Sequence, residues 1–500
     1  MYKTNAIKSH ITTAIALSAI VFISSCQQAS KSPVEVPDSK MTKPNIVLIF
    51  ADDTGYGDLQ TYNTESKIPT PNLNALAAQG MSFTDAHTSS AVCTPSRYSL
   101  LTGRYAWRTR LKQGVLNGNS PLLIDTARET LPSLLKRAGY HTMMVGKWHL
   151  GIGEGTRKDK TNYDKPLSHG PNAIGFDYFY GIPASLDFEP YVLIENEQLA
   201  TPLLGATTER QTHKRKGGKG FWRNGRIGEG FVHEDILPNL ADKAVAKIKT
   251  AAKADDPFFL YLPLPSPHTP WLPTEKFIGT SKAGAYGDFS AQTDHVVGQV
   301  LAALKNAGIE ENTLVIYSSD NGAHWLPSDI EKFGHLANGS WRGQKGDIHE
   351  AGHRVPLIIK WPGKVPEKST SDARIVLNDI LPTLATFTNI APAADTAPDS
   401  VDFSQVLLAD KHYTHDRSPI IHHSFRGRFA IRIGDWKLIE GIGSGGMTPP
   451  QNVTPEPGQS PYELYNLAQD PAETNNLADK QPQRVKQMLT ALNGIRDNGA

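Results

Sequence analysis

Cys93 has surroundings that do not suit a structural cysteine. It opens the run Cys93-Thr94-Pro95-Ser96-Arg97-Tyr98-Ser99-Leu100-Leu101-Thr102-Gly103-Arg104, among small polar residues where a helix is expected to begin near Ser96. A structural thiol usually sits among apolar neighbours, and half of a disulfide needs a partner. The chain has only two cysteines, and the other, Cys26, falls in a leader-like segment. Structural cysteines are still far commoner than reactive ones, so the reading of Cys93 depends on what the rest of the chain can place around it.

Four oxygen-bearing side chains follow directly after expected strands: Asp52 and Asp53, then Asp320 and Asn321. Taken alone, the first pair reads equally as a helix cap or turn, and Ser319-Asp320-Asn321-Gly322 reads as a turn. Together they form a carboxylate-rich, oxygen-only set, and no histidine or thiolate grouping has zinc-like spacing. Such a set favours a hard cation, calcium ahead of magnesium, because calcium accepts irregular geometry and more ligands.

The pattern Cys93-x-Pro95-Ser96-Arg97, followed by Leu101-Thr102-Gly103-Arg104, resembles the signature of type I sulfatases, in particular bacterial polysaccharide sulfatases. The resemblance implies that Cys93 is oxidised after synthesis to formylglycine by a formylglycine-generating or sulfatase-maturating enzyme. The hydrated aldehyde would then attack sulfur. Asp52, Asp53, Asp320 and Asn321 match the family's metal-binding segments, with the residue at 93 beside the metal. Gly146-Lys147-Trp148-His149 resembles the next motif, in which Lys147 would contact the sulfate and His149 would accept a proton. Pro267-His268-Thr269-Pro270 resembles the third, with His268 near the bridging oxygen. Trp341-Arg342-Gly343-Gln344-Lys345-Gly346, running on to His353-Arg354-Val355-Pro356, resembles the fourth, where Lys345 would complete the clamp and help protonate the leaving group. Arg97, one helical turn after Cys93, would steady the hydrate. Ala351 stands where many relatives have glycine.

The elements that must hold these residues are legible as alternating strands and helices. Asn45 to Ala51 is a continuous apolar run, as expected of a strand buried on both faces of a parallel sheet. Further strands are expected at Tyr140 to Val145, Pro257 to Pro263, Thr313 to Ser318 and Val355 to Trp361. Helices are expected from Thr70-Pro71 to Gly80, from Thr130 to Gly139, and at about 235–252 and 289–306. This alternation indicates an α/β domain with a mostly parallel central sheet, and the resemblance adds an alkaline-phosphatase-like sandwich. In such sheets ligands bind beyond the carboxyl ends of the strands, where the polar motifs lie. Short strand-like pieces at Ile420 to Ser424, Arg428 to Ile433, Trp436 to Glu440 and Tyr462 to Leu467, then a helix at 480–495, suggest a small C-terminal α+β subdomain with an antiparallel sheet.

Composition sets outer bounds. A net charge of +1 among 500 residues argues neither for nucleic acid nor against an anionic substrate. Lys3 and Lys8, the apolar stretch Ile11 to Ile23 and Ser24-Ser25-Cys26 read as a lipoprotein-type signal, residues 1–26, with Cys26 the lipidated residue; an ordinary signal peptide is the alternative. The expected division continues with a linker at 27–43, a catalytic domain at 44–395 and the C-terminal subdomain at 396–500. The chain is then exported to the periplasm or outer membrane, touching the membrane through the lipid anchor only. An exported enzyme of this kind points to a sulfated polysaccharide or its oligosaccharides. His324, Trp341 and His353 are the candidate sugar contacts, with Trp325, His335 and His349 nearby, and the basic segment 212–226 could meet a polyanion or be a solvated insertion. Two other readings remain: a phosphatase or phosphonate hydrolase of the same fold, and a non-catalytic binder of sulfated glycans.

Overall fold

The computed structural model describes residues 43–155, 160–207, 221–409 and 413–497. The leader with Cys26, the linker up to residue 42 and most of the basic segment 212–226 lie outside the described residues. From Lys43 onward the chain forms one compact unit. Among the described residues, no helix is long and apolar enough to cross a membrane.

A ten-stranded sheet carries the fold. At its centre five parallel strands lie in the order Thr313–Ser319, Asn45–Asp52, Phe258–Pro267, His141–Lys147 and Tyr178–Ile182. Alternate residues of a strand point to opposite faces, so the central strand feeds two cores. Ile46, Leu48 and Phe50 pack with Tyr98, Leu100, Leu101, Leu131 and Leu134. Val47, Ile49 and Ala51 pack with Leu73, Leu76, Leu240, Ala244 and Val297 on the other side. Each large apolar side chain fully buried in this way contributes roughly 1.5–3 kcal/mol.

Two expected helix starts are corrected, and one expected strand acquires its direction. The Leu357–Lys360 strand runs antiparallel to its neighbour, so it extends the sheet outside the parallel block. The long helix spans Gly284–Asn306 and starts five residues earlier than its apolar pattern suggested, because Tyr286 and Phe289 are buried in its first turns. The Cys93 helix spans Cys93–Thr102 and so begins at the cysteine rather than near Ser96. Val92 precedes it in extended conformation, and Ser96 Oγ lies 3.0 Å from the Val92 carbonyl. Gly103, at φ 64, ends the helix with its N–H donating to Ser99 O at 2.8 Å, the left-handed stop that glycine makes cheaply.

The C-terminal strands Ile420–His423, Phe429–Ile433, Trp436–Ile439 and Glu463–Asn466 form a separate antiparallel sheet. The Pro482–Asp497 helix covers it, with Val485, Met488 and Leu492 in a core shared with Tyr105 and Trp107. Phe403 and Leu407, which composition grouped with this part, pack instead into the main core.

Candidate active site

The carboxyl ends of the parallel strands deliver the motif residues to one place. Asp52 ends its strand, and Asp53 follows in the left-handed region at φ 68. Successive strand residues would point to opposite faces; this turn at Asp53 departs from that alternation. Asn321 Nδ2 donates to Asp53 Oδ1 at 2.7 Å, and the Asp53 amide donates to Asp320 Oδ1 at 3.2 Å. The Asp52-Asp53 and Asp320-Asn321 turns are therefore stitched together. Gly322 must be glycine here: a Cβ would lie 1.8 Å from the Ala351 carbonyl oxygen. Ala351 itself sits in the short Glu350–His353 helix, where alanine is at ease.

Cys93 Sγ lies 3.6 Å from Asp52 Oδ1. Ligand atoms of Asp52, Asp53, Cys93 and His268 all fall within 4.8 Å of one another. As the first residue of a ten-residue helix, Cys93 stands among amides that have no partner within the helix, in a field that favours negative charge. Three cations surround the carboxylates. Arg97 donates to Asp320 Oδ2 through Nε at 2.9 Å and Nη2 at 2.7 Å. Lys147 Nζ meets Asp52 Oδ2 at 2.5 Å, and Lys345 Nζ meets Asp53 at 2.7–2.8 Å. His268 Nε2 is 3.9 Å from Asp53 Oδ2. All of these residues are at most 7% exposed.

Burial opposes charge throughout, and neighbours decide the outcome. Burial works against ionised Asp52, yet Lys147, His268 and Arg97 hold its carboxyl well below the usual range. Asp320 is pushed upward by burial and by Asp52. Burial also raises the Cys93 thiol. His149 and His268 are both lowered, first by burial and then by Lys147 and Lys345 respectively. His149 Nε2 faces the Leu116 carbonyl at 2.9 Å, while its Nδ1 is buried without a hydrogen-bond partner. Asn321 Oδ1 is likewise buried and unpartnered.

Of the candidate sugar contacts, His324 is half-buried and Trp341 is half-buried beneath the Arg354 guanidinium, 4.0 Å from its ring. His353 is a correction. It is fully buried, stacked on His422 at 3.6 Å and 3.1 Å from His87, and has no surface to offer a sugar. Trp325, His335 and His349 are also buried: Trp325 donates to His335 O, His335 meets Asp58 and His349 meets Glu463. Asp187 and Phe188, whose ring packs 5.7 Å from that of His149, carried no sequence signal beyond their place after a strand.

The model of the Sulfatase family matches residues 44–390. The chain is 34% identical to an N-acetylgalactosamine-6-O-sulfatase of Bacteroides thetaiotaomicron, over 91% of this chain and 93% of that one. It is 32% identical to human arylsulfatase A, over 91% and 87% of the two chains. A solved structure from glycosaminoglycan metabolism in Bacteroides thetaiotaomicron superimposes with a TM-score of 0.81 at 34% identity, over 91% of this chain and all of that one. With the α/β sandwich and its additional antiparallel sheet, these likenesses place the chain in the sulfatase family, an enzyme that hydrolyses sulfate esters.

Proposed function

We propose that this sulfatase removes sulfate from a glycosaminoglycan-type saccharide, using a formylglycine made from Cys93 beside a bound calcium ion. The observation that carries the reading is the position of Cys93, at a helix N-terminus and 3.6 Å from Asp52 inside the carboxylate cluster. The relative named for N-acetylgalactosamine 6-sulfate, aligned over most of both chains, supports the substrate class.

The donor set fits a hard cation. Asp52, Asp53, Asp320 and Asn321 offer oxygen, and Asn321 Oδ1 is a buried acceptor that nothing else satisfies. These four residues would hold calcium, with residue 93 beside it. When present, the ion withdraws charge from sulfate oxygens and the hydrated aldehyde provides the nucleophilic hydroxyl. The side chains do the rest. Lys147 and Lys345 neutralise the sulfate, exchanging their present partners Asp52 and Asp53 for its oxygens. His268, the more accessible histidine, delivers a proton to the departing sugar oxygen. In His149, the carbonyl facing Nε2 places the ring proton there, leaving Nδ1 to accept a proton as sulfate is released. Arg97 holds Asp320 and the helix in register.

The leader ending at Cys26 and the linker that follows would put the enzyme outside the cytoplasm on a lipid anchor, with a maturation enzyme as its transient partner. The test is paired. Mass spectrometry of the Cys93 peptide from active enzyme shows aldehyde or its hydrate, and the same enzyme frees sulfate from N-acetylgalactosamine 6-sulfate. Activity in protein whose residue 93 is entirely thiol refutes the nucleophile; inactivity across sulfated saccharides refutes the substrate.

A further inference from the structure

We propose that Asp187 and Arg223 form an acceptor–donor pair that binds a ring hydroxyl of the sugar bearing the ester, and so select a glycan alcohol over an aryl one. This rests on the saccharide reading above.

The strand Tyr178–Ile182 lies beside the strand that presents Lys147, and the two loops beyond them are tied together. Trp148 N donates to Ile182 O and His149 N to Pro183 O, both at 3.0 Å. The loop continues to Asp187 and Phe188. Phe188 packs against the His149 ring at 5.7 Å between centroids. The Arg223 guanidinium lies over Phe188 at 4.0 Å and donates through Nη1 to Asp187 Oδ2 at 2.7 Å and to Asp187 O at 2.8 Å. The Asp187 carboxyl is lowered against burial by the charges of His268 and Arg223. Through Phe188 the pair is therefore one side chain away from His149, a proposed proton-handling histidine.

Its chemistry is specific. Asp187 is 7% exposed, and its Oδ1 is buried with no hydrogen-bond partner among the described residues. A carboxylate oxygen left in that state is costly until a donor reaches it. Arg223 keeps 42% of its side chain exposed beside it. The two charges cancel, so a second anion gains little from the pair. A hydroxyl, which donates to Asp187 and accepts from Arg223, matches it. An aryl sulfate carries no such group.

The experiment compares 4-nitrophenyl sulfate with a panel of sulfated monosaccharides that includes N-acetylgalactosamine 6-sulfate, using matured wild type, Asp187→Asn, Arg223→Ala and Arg223→Lys. Losing a charge-assisted hydrogen bond lowers kcat/KM on the sugar about 10- to 100-fold, chiefly through KM. The aryl ester loses far less, so the ratio between the two substrates moves by at least about tenfold, and Arg223→Lys recovers part of the loss. Parallel losses on both esters, or a ratio steady within twofold, overturn the pairing while leaving the saccharide reading intact. A wild type that cleaves the aryl ester and no sulfated sugar overturns both.

Discussion

Two buried ionic clusters in this molecule use nearly the same side chains to opposite ends. The first holds Asp52, Asp53, Cys93, Arg97, Lys147, His268, Asp320, Asn321 and Lys345 at the strand ends. The second holds Asp85, His87, Glu350, His353, Arg354, His422, Arg432, Lys437 and Glu473, where the C-terminal sheet meets the main core. In the second, every charge is closed against another. Lys437 meets Glu350 at 3.0 Å and Glu473 at 2.8 Å, Arg354 meets Glu350 at 3.0 Å and Asp85 at 2.8 Å, and Arg432 meets Asp85 at 2.9 Å. His87, His353 and His422 crowd together closely enough to suggest a metal site. Two facts argue otherwise. The His353 and His422 rings are stacked 3.6 Å apart and 10° from parallel, so their nitrogen lone pairs do not converge on one point. Lys437 Nζ stands 3.1 Å from His353 Nε2, where a second cation would be repelled. Burial alone therefore does not distinguish a reactive cluster from a seam; unspent ligand atoms that converge do.

The largest effect that separates the two belongs to residue 93. Cys93→Ala is expected to lower sulfate release by 10⁴-fold or more, on the order seen when a nucleophile is deleted, while the melting temperature stays within a few degrees. Substantial turnover in the alanine form breaks the assignment. Next is metal removal. Exhaustive chelation should cost at least about 100-fold in rate, since metal-assisted charge stabilisation contributes several kcal/mol, and calcium should restore both rate and melting temperature. Full activity in the stripped protein would dissolve the distinction between the clusters.

The seam responds in stability instead. Lys437→Met leaves Glu350 and Glu473 buried without their shared cation, a loss of about 3–5 kcal/mol measurable by denaturant unfolding. The folded fraction should retain its kcat/KM within a few fold. The smallest effect is in pH. His87 is lowered to about 4 by burial first and by Arg354, and His353 and His422 are also lowered by burial and their neighbours. Their neutral forms are favoured in the folded state, so the unfolded chain binds more protons as pH falls. Stability from each is complete above about 6.5, the ordinary histidine value, and declines by about 1.4 kcal/mol per pH unit towards 4 for each histidine that must charge. Unfolding free energies at pH 7, 6, 5 and 4 check this, and a flat profile over that range contradicts it.

Much of the proposed active site could be read before any fold was known. The apolar run Asn45 to Ala51 can only be a buried strand, and its abrupt end in two aspartates marks where a parallel sheet binds ligands. Cys93 with Pro95 and Arg97, and Lys147 with His149, declare themselves by local pattern. The seam was not legible. His87 stands hundreds of residues before His422 and Lys437, with no motif linking them, and His353 stood close enough to Lys345 in sequence to pass for a sugar contact. Asp187 was equally silent, and Arg223 was visible only as one member of the basic segment 212–226, because their meeting depends on two distant loops.

Local order along the chain, apolar periodicity and short polar motifs, thus determined the α/β class, the placement of the polar motifs at strand ends and which residues are proposed to react. Tertiary structure alone decided which partner each buried charge meets and where ligand atoms converge. It did so because pairing across a core depends on where the strands and loops meet in space, and nothing in the spacing of residues records that.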